Sequence, residues 1–252
     1  MKIATWNVNS LKVRLPHLLD WLAANPIDVV CLQETKTEDK NFPLAEIEAA
    51  GYQVAFIGQK TYNGVAILSR HAISDVQFGI PDLEDEQKRV IAATINGVRI
   101  VCVYIPNGQS LDSDKYQYKL KWLAALKIWL KDELAKYPKL ALLGDYNIAP
   151  EDRDCHDPVA WQGNVLVSEP ERDAFKGLVA LGLRDSFRLF EQAEKSYSWW
   201  DYRMMGFRRN LGMRIDHILI SADLHCNGCI IDKAPRKLER PSDHTPVIAD
   251  VN

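Results

Sequence analysis

The chain lacks any apolar run approaching the roughly 18 residues that a membrane span needs, and its N-terminus turns polar by Asn7. A membrane-spanning helix and a secretory leader are therefore not expected, and the expected location is the cytoplasm. It also lacks a disulfide framework. The cysteines number 5 and are mostly scattered: Cys31, Cys102, Cys155, Cys226 and Cys229. An odd, dispersed set suits a reducing compartment. Cys226-Asn227-Gly228-Cys229 has C-x-x-C form, but no second Cys or His pair stands at zinc-finger spacing, and the pair follows a strand rather than opening a helix. It reads as a turn. Neither charge sign dominates: the formal charge is -3 and the pI about 6.1. That excludes a uniformly basic surface, so a polyanionic partner must meet a local basic patch. Linkers, low-complexity tracts and short repeats are missing too. The 252 residues, 47% of them apolar, are long enough for a substantial core and read as one continuous domain, 1–252.

What is present is a succession of short apolar runs, each delivering polar residues at its end. Lys2 to Trp6 reads as a strand ending in Asn7-Val8-Asn9. Leu11, Leu15, Leu18, Leu19 and Leu22 recur at helical spacing, and Asn25-Pro26 stops that helix. Ile27 to Leu32 is a compact buried-strand signal that delivers Gln33-Glu34. Gln53–Ile57, Val65–Leu68, Arg89–Ile95 and Val98–Ile105 are β-rich, with Asn96-Gly97 as a hairpin turn. The last of these carries Tyr104. Residues 115–136 form the clearest helix, with Leu123, Leu126, Leu130 and Leu134 inward and Lys119, Lys121, Lys127 and Lys131 read as a solvated face. Leu140–Leu143 is a further strand delivering Asp145 and Asn147. Ser168-x-x-Glu171 is a capping box before a helix reaching about Leu181. Residues 203–214 hold Arg203, Arg208, Arg209 and Arg214, the densest arginine cluster. A strand runs from Arg214 to Ile220, and the stiff turn Pro241-Ser242-Asp243-His244-Thr245-Pro246 feeds a last strand, Val247–Val251.

Asn7, Asn9, Glu34, Tyr104, Asp145 and Asn147 thus follow strands, whereas Asp216 and Asp243-His244 precede them. In a mixed sheet those two kinds of position share one rim. Such a set supports metal-assisted attack on a phosphate ester. Glu34 and Asp243, with Asn7 or Asn9, offer the hard oxygen ligands that Mg²⁺ prefers; Asp145, Asn147 and His244 are further candidate ligands. Asp145 is a candidate base for a water. Asn147, Tyr104 and His244 are placed to bind non-bridging oxygens. Asp216 is a candidate partner for the His244 imidazole, or alternatively a structural partner for Arg214.

Trp6-Asn7-Val8-Asn9-Ser10-Leu11, Leu32-Gln33-Glu34-Thr35-Lys36, Gly64-Val65-Ala66-Ile67-Leu68, Leu143-Gly144-Asp145-Tyr146-Asn147-Ile148, Gly212-Met213-Arg214-Ile215-Asp216 and Ser242-Asp243-His244-Thr245-Pro246 occur in this order along the whole chain. Together they resemble the successive motifs of the exonuclease III family of apurinic/apyrimidinic endonucleases; each alone is shared with the wider endonuclease/exonuclease/phosphatase superfamily. The resemblance implies a four-layer α/β sandwich, two packed mixed sheets flanked by helices. It implies Mg²⁺- or Mn²⁺-dependent cleavage of DNA 5′ to abasic sites and 3′-end trimming of duplex DNA, by a monomer. It gives Glu34 as principal metal ligand and Asp145 as the residue positioning the water. Asn147, Tyr104 and the His244–Asp216 pair act at the phosphate, and Asn7 and Asp243 complete the site. Trp199, Met213 and Ile215 fall where that family builds an apolar pocket for a base-free sugar, and Asn107 at a DNA-contact position.

One departure stands out. Leu166 occupies a position where relatives often carry a small, glycine-like residue, which leaves the balance between abasic-site incision and 3′-end processing open. Two rivals remain at this level: a superfamily phosphodiesterase or phosphatase acting on another ester, and a catalytically silent nucleic-acid-binding regulator.

Overall fold

The computed structural model describes residues 1–252. In chain order the first half comprises β1 (Lys2–Asn7), α1 (Leu11–Ala24), β2 (Val29–Gln33), α2 (Leu44–Ala49), β3 (Gln53–Ile57), β4 (Val65–Ser69), β5 (Ser74–Phe78), β6 (Val90–Ile95) and β7 (Val98–Tyr104). The second comprises α3 (Asp114–Lys136), β8 (Leu140–Asp145), α4 (Pro158–Trp161), α5 (Glu169–Val179), β9 (Leu183–Asp185), β10 (Trp199–Trp200), β11 (Gly212–Met213), β12 (Asp216–Ser221), β13 (Cys226–Ile231) and β14 (Val247–Val251).

Two six-stranded sheets run in the orders β13-β14-β1-β2-β4-β3 and β5-β6-β7-β8-β12-β9. Only β1–β2 and β7–β8 are parallel pairs, and each spans a helical crossover, α1 or α3. All other neighbours are antiparallel. Central strands such as β2 and β8 are buried along their whole length, which is why they read as unbroken apolar runs rather than alternating ones. Ile3, Cys31 and Ile67 of one sheet pack on Ile100, Leu143 and Ile218 of the other. Trp122, Leu126 and Leu130 of α3 cover the outer face of the second sheet, and Leu18 and Leu22 of α1 that of the first. The result is the four-layer α/β sandwich expected.

Register brings the polar strand ends together. Tyr104 pairs with Asp145 across β7–β8, and Asp145 pairs with Asp216 across β8–β12. Asn7 pairs with Gln33 across β1–β2, one residue before Glu34. Gly144 permits this packing: a Cβ there would lie 1.9 Å from the Val103 carbonyl oxygen.

Several local readings change. Cys226 and Cys229 lie in strand β13, not in a turn, with a bulge between Cys226 and Gly228, and both thiols are free and buried. Pairing with the terminal strand overrides the turn-like Asn-Gly. Strand β5 has mostly exposed residues and so lacks an alternating signature. Helix α2 has only 6 residues. Lys119 is not on a solvated face but fully buried.

Arg214 is also buried, and its partners are Asp154 (2.7 Å) and Asp185 (2.8 Å), not Asp216. Its guanidinium donates to Nδ1 of His217 (2.9 Å), whose Nε2–H donates to the Ile148 carbonyl (2.9 Å). Both nitrogens are committed to one neutral tautomer. Burial, then the Arg214 charge, push this ring down to about 4. The unfolded chain therefore takes up a proton near pH 6.5 that the folded ring refuses until about pH 4. The ring's share of stability is present above pH 6.5 and declines as pH falls through that window, by at most about 3 kcal/mol. Denaturant titrations of wild type and His217→Gln at pH 7 and 4.5 should show the wild type losing more stability than the variant by ~2–3 kcal/mol; parallel losses would refute this.

Candidate active site

Three ionisable side chains converge at the rim. One ligand atom each from Glu34, Asp145 and His244 lie within 4.8 Å of one another. The Asn7 side-chain amide bridges the carboxylates, donating to Glu34 (2.8 Å) and Asp145 (2.9 Å). Asp145 also accepts from the backbone N–H of Asn147 (2.9 Å). Burial pushes its carboxyl up to about 7, against the opposing pull of the His244 charge. A carboxylate so raised suits a base working near neutrality.

His244 is nearly fully buried, and its Nδ1 lies 2.9 Å from Asp216. Its Nε2 faces Asp145 at 3.7 Å, too far for a good hydrogen bond. Desolvation works against the ring's charge. Asp216 and Asp145 overcome it and raise the ring to about 10. At neutral pH the ring is an imidazolium, with Nδ1–H spent on Asp216 and Nε2–H aimed into the site. Nε2 is thus the ring nitrogen that the site can use. Asp216 is itself held by Ser198, whose hydroxyl donates to it at 2.6 Å and accepts the backbone N–H groups of Ile215 and Asp216.

The turn that carries His244 is tied down on both sides. The Ser242 hydroxyl donates to the Asn7 carbonyl (2.7 Å). The backbone of Thr245 donates to Ser198, and that of Trp200 to Asp243. Arg14 (2.9 Å) and Tyr202 (2.8 Å) both donate to the Pro241 carbonyl. Nothing local to Ser198, Ser242 or Arg14 marks them as supports, because each contact joins residues far apart in sequence.

Asp243 lies outside the Glu34–Asp145–His244 group. Its two oxygens accept from Asn9 (2.8 Å) and the Trp199 indole (3.0 Å). Asn9 in turn accepts from Lys36 (2.6 Å), which also pairs with Glu34 (2.8 Å). The Asn147 amide turns inward to the Ile105 carbonyl (3.0 Å) and accepts from Asn107 (3.1 Å); in this geometry it orients Asp145 and Asn107. Tyr104 stays protonated: burial, then the Glu34 and Asp145 charges, push its phenol well up. Arg89 stacks on its ring at 4.6 Å. A cavity of about 720 Å³ opens beside Tyr104 and Asn107. One of about 750 Å³ lies beside α4 and α5 and holds none of these residues.

The donor set fits a hard divalent cation. Glu34 and Asp145 supply carboxylate oxygens beside the His244 ring, and no thiolate is near. Left-handed backbone recurs at the same rim: Asn9 (φ 42°), Glu34 (φ 53°), Lys36 (φ 51°) and Asn147 (φ 49°). Such strain outside glycine persists where surrounding contacts over-determine it.

The apolar residues form a separate small cluster. Met213 and Ile215 are buried with Ala149, Cys155, Leu166 and Val167, and Trp199 packs against its edge. Arg208 and Arg209 are exposed on the neighbouring loop.

The model of the endonuclease/exonuclease/phosphatase family matches residues 4–244. An exodeoxyribonuclease III from Haemophilus influenzae is 37% identical, with 99% of each chain covered. Among solved structures, a 3′ phosphatase NExo from Neisseria bound to product DNA hairpin has a TM-score of 0.98 at 49% identity, covering 100% of this chain and 99% of that one. An AP endonuclease from Archaeoglobus fulgidus has a TM-score of 0.97 at 40% identity, again covering 100% and 99%. With its motifs in order, its sheets in the same arrangement and a family match over nearly its whole length, the chain belongs to the endonuclease/exonuclease/phosphatase family.

Proposed function

We propose that this chain, a hydrolytic DNA-repair nuclease, works chiefly on 3′ ends of duplex DNA, with abasic-site incision as its lesser activity. The observation that carries the preference is the burial of Met213 (0%) and Ile215 (1%) in a cluster that includes Leu166 (4%). A pocket for an extruded abasic sugar needs exposed apolar walls. Here Leu166 occupies that space from a backbone at φ 75°, where glycine would leave it open. The 49% identical 3′ phosphatase accords with this reading, and the 40% identical AP endonuclease accords with the second activity. The whole site comes from one chain, which supports action as a monomer.

The residues divide the work of hydrolysis. A cation held by Glu34 and Asp145, with Asn7 beside them, would offset charge on the phosphate and leaving oxygen; the all-oxygen donor set favours Mg²⁺, with Mn²⁺ as a substitute. Asp145 takes the proton of the attacking water. Asn7 and the Asn147 backbone hold that carboxylate in line. The His244 Nε2–H and the Tyr104 hydroxyl donate to non-bridging oxygens, where charge builds in the transition state. Asp216, fixed by Ser198, keeps the imidazole charged and oriented. Asp243 aligns Asn9 and Trp199 rather than sharing the cation.

DNA would be gripped by local charge on a chain of net charge -3. Exposed Arg208 and Arg209 lie on one side of the site. A separate cleft of about 690 Å³ is lined by Lys12, Lys36, Lys40 and Lys60, with Glu38 and Glu46.

Three outcomes are expected. With saturating Mg²⁺ and a 3′-phosphate duplex, Asp145→Asn should lower kcat by at least about a thousandfold while duplex binding persists. Residual turnover within tenfold of wild type would exclude Asp145 as the base. Leu166→Gly should raise kcat/KM for abasic incision relative to 3′-phosphate removal by roughly tenfold or more; an unchanged ratio would sink the pocket argument. Log affinity for duplex should fall linearly with log salt, and Arg208→Ala/Arg209→Ala should make that slope shallower by about 2. A slope near zero in the wild type would point instead to a small phosphate ester as substrate.

A further inference from the structure

We infer that the buried Lys119–Glu171 ion pair is a positioning device for substrate selectivity: it holds Leu166 over the apolar cluster and ties that position to the loops of Asn107 and Asn147 at the phosphate. The inference rests on the 3′-end reading of Leu166.

Lys119 lies in the second turn of α3 with its side chain fully buried against Glu171 of α5. Its ammonium has three hydrogens and three acceptors: the Glu171 carboxylate, the Asn147 carbonyl (2.7 Å) and the Asn107 carbonyl (3.1 Å). Glu171 is equally committed. One oxygen accepts from Lys119 and from the Leu166 backbone N–H (3.0 Å). The other accepts from the Ser168 N–H (3.1 Å) and hydroxyl (2.5 Å). Leu166 is then closed from its other side, its carbonyl accepting from Ala149 N–H (2.7 Å).

The capping box of α5 explains only part of this. A cap needs one Glu171 oxygen at Ser168. It does not need the second oxygen at Leu166, nor a lysine from another helix. Burying an ion pair is often no more stabilising than packing apolar residues in its place, so stability alone is a weak reason for one here. Leu166, by contrast, has a positive φ of 75°, a conformation that L-residues leave when free. A charge-assisted acceptor at its N–H holds it there. The same ammonium fixes the carbonyls of Asn107 and Asn147, so the width of the apolar cluster and the placement of the phosphate-side loops are set by one group.

The test compares wild type, Lys119→Met/Glu171→Gln, Leu166→Gly and the triple variant on abasic and 3′-phosphate duplexes, well below each melting midpoint. The double variant removes both charges and leaves a side-chain oxygen to cap α5. Its ratio of abasic incision to 3′-phosphate removal should rise at least about fivefold, through a higher kcat on the abasic duplex more than through KM. Adding Leu166→Gly should then raise the ratio by less than about twofold, because both changes release the same residue. A ratio equal to wild type, or full multiplication of the two effects, overturns the inference. Should the double variant not fold, Glu171→Gln alone supplies the comparison, with a rise of at least about threefold expected and an unchanged ratio again overturning it. Wild-type preference between the duplexes tests the 3′-end reading, whereas the shift in ratio tests the ion pair whichever duplex wild type prefers.

Discussion

A buried imidazolium between two buried carboxylates is the interaction on which the site depends. His244 lies against Asp216 at 2.9 Å and faces Asp145 at 3.7 Å, all three nearly excluded from water. Isolated, each charge would be costly at that depth. Together they stabilise one another unequally: Asp216 and Asp145 keep the proton on His244, while burial raises the Asp145 carboxyl to about 7 against the pull of that charge. That inequality leaves an imidazole that keeps its proton beside a carboxyl that exchanges one near neutral pH. It also explains the supports around them, since a small change in either distance would redistribute the charge.

The supports follow one pattern. Residues distant in sequence clamp the backbone of a site residue or of its neighbour. Ser198 gathers the N–H groups of Ile215 and Asp216; Ser242 holds the Asn7 carbonyl; Lys119 holds those of Asn107 and Asn147. Beneath them the Arg214–Asp154–Asp185 group, with neutral His217, anchors Ile148 and the start of β12. Left-handed backbone at Asn147 and Leu166 is held by such contacts, Lys119 on the Asn147 carbonyl and Glu171 on the Leu166 N–H.

Lys119 and Asp243 show where local reading loses its grip. Lys119 recurs with Lys121, Lys127 and Lys131 at spacing that suits a wet helix face, yet Glu171 of α5 packs over it. Asp243 stands beside His244 in a turn, and nothing near it in sequence shows that its oxygens accept from Asn9 and Trp199. Asp216 had two candidate partners, Arg214 and His244, and chain order does not rank them. Asp154 and Asp185 claim Arg214, which leaves Asp216 to His244. In each case the deciding partner lies dozens of residues away or more, on another element.

The sequence by itself determined the mixed helix–strand character, most of the strands and the polar residues at their ends, and its motifs pointed by resemblance to the layered sandwich. These follow from short-range rules: apolar runs of strand length, helical spacing, turn residues and caps. It also marked Leu166 as a departure. Only the tertiary structure decided which carboxylates meet, which nitrogen of His244 is free, and that Leu166 lies over Met213 and Ile215. Those outcomes depend on strand register and on helix-to-sheet packing, which join distant segments, and on burial, which turns an ordinary lysine or aspartate into a fixed charge.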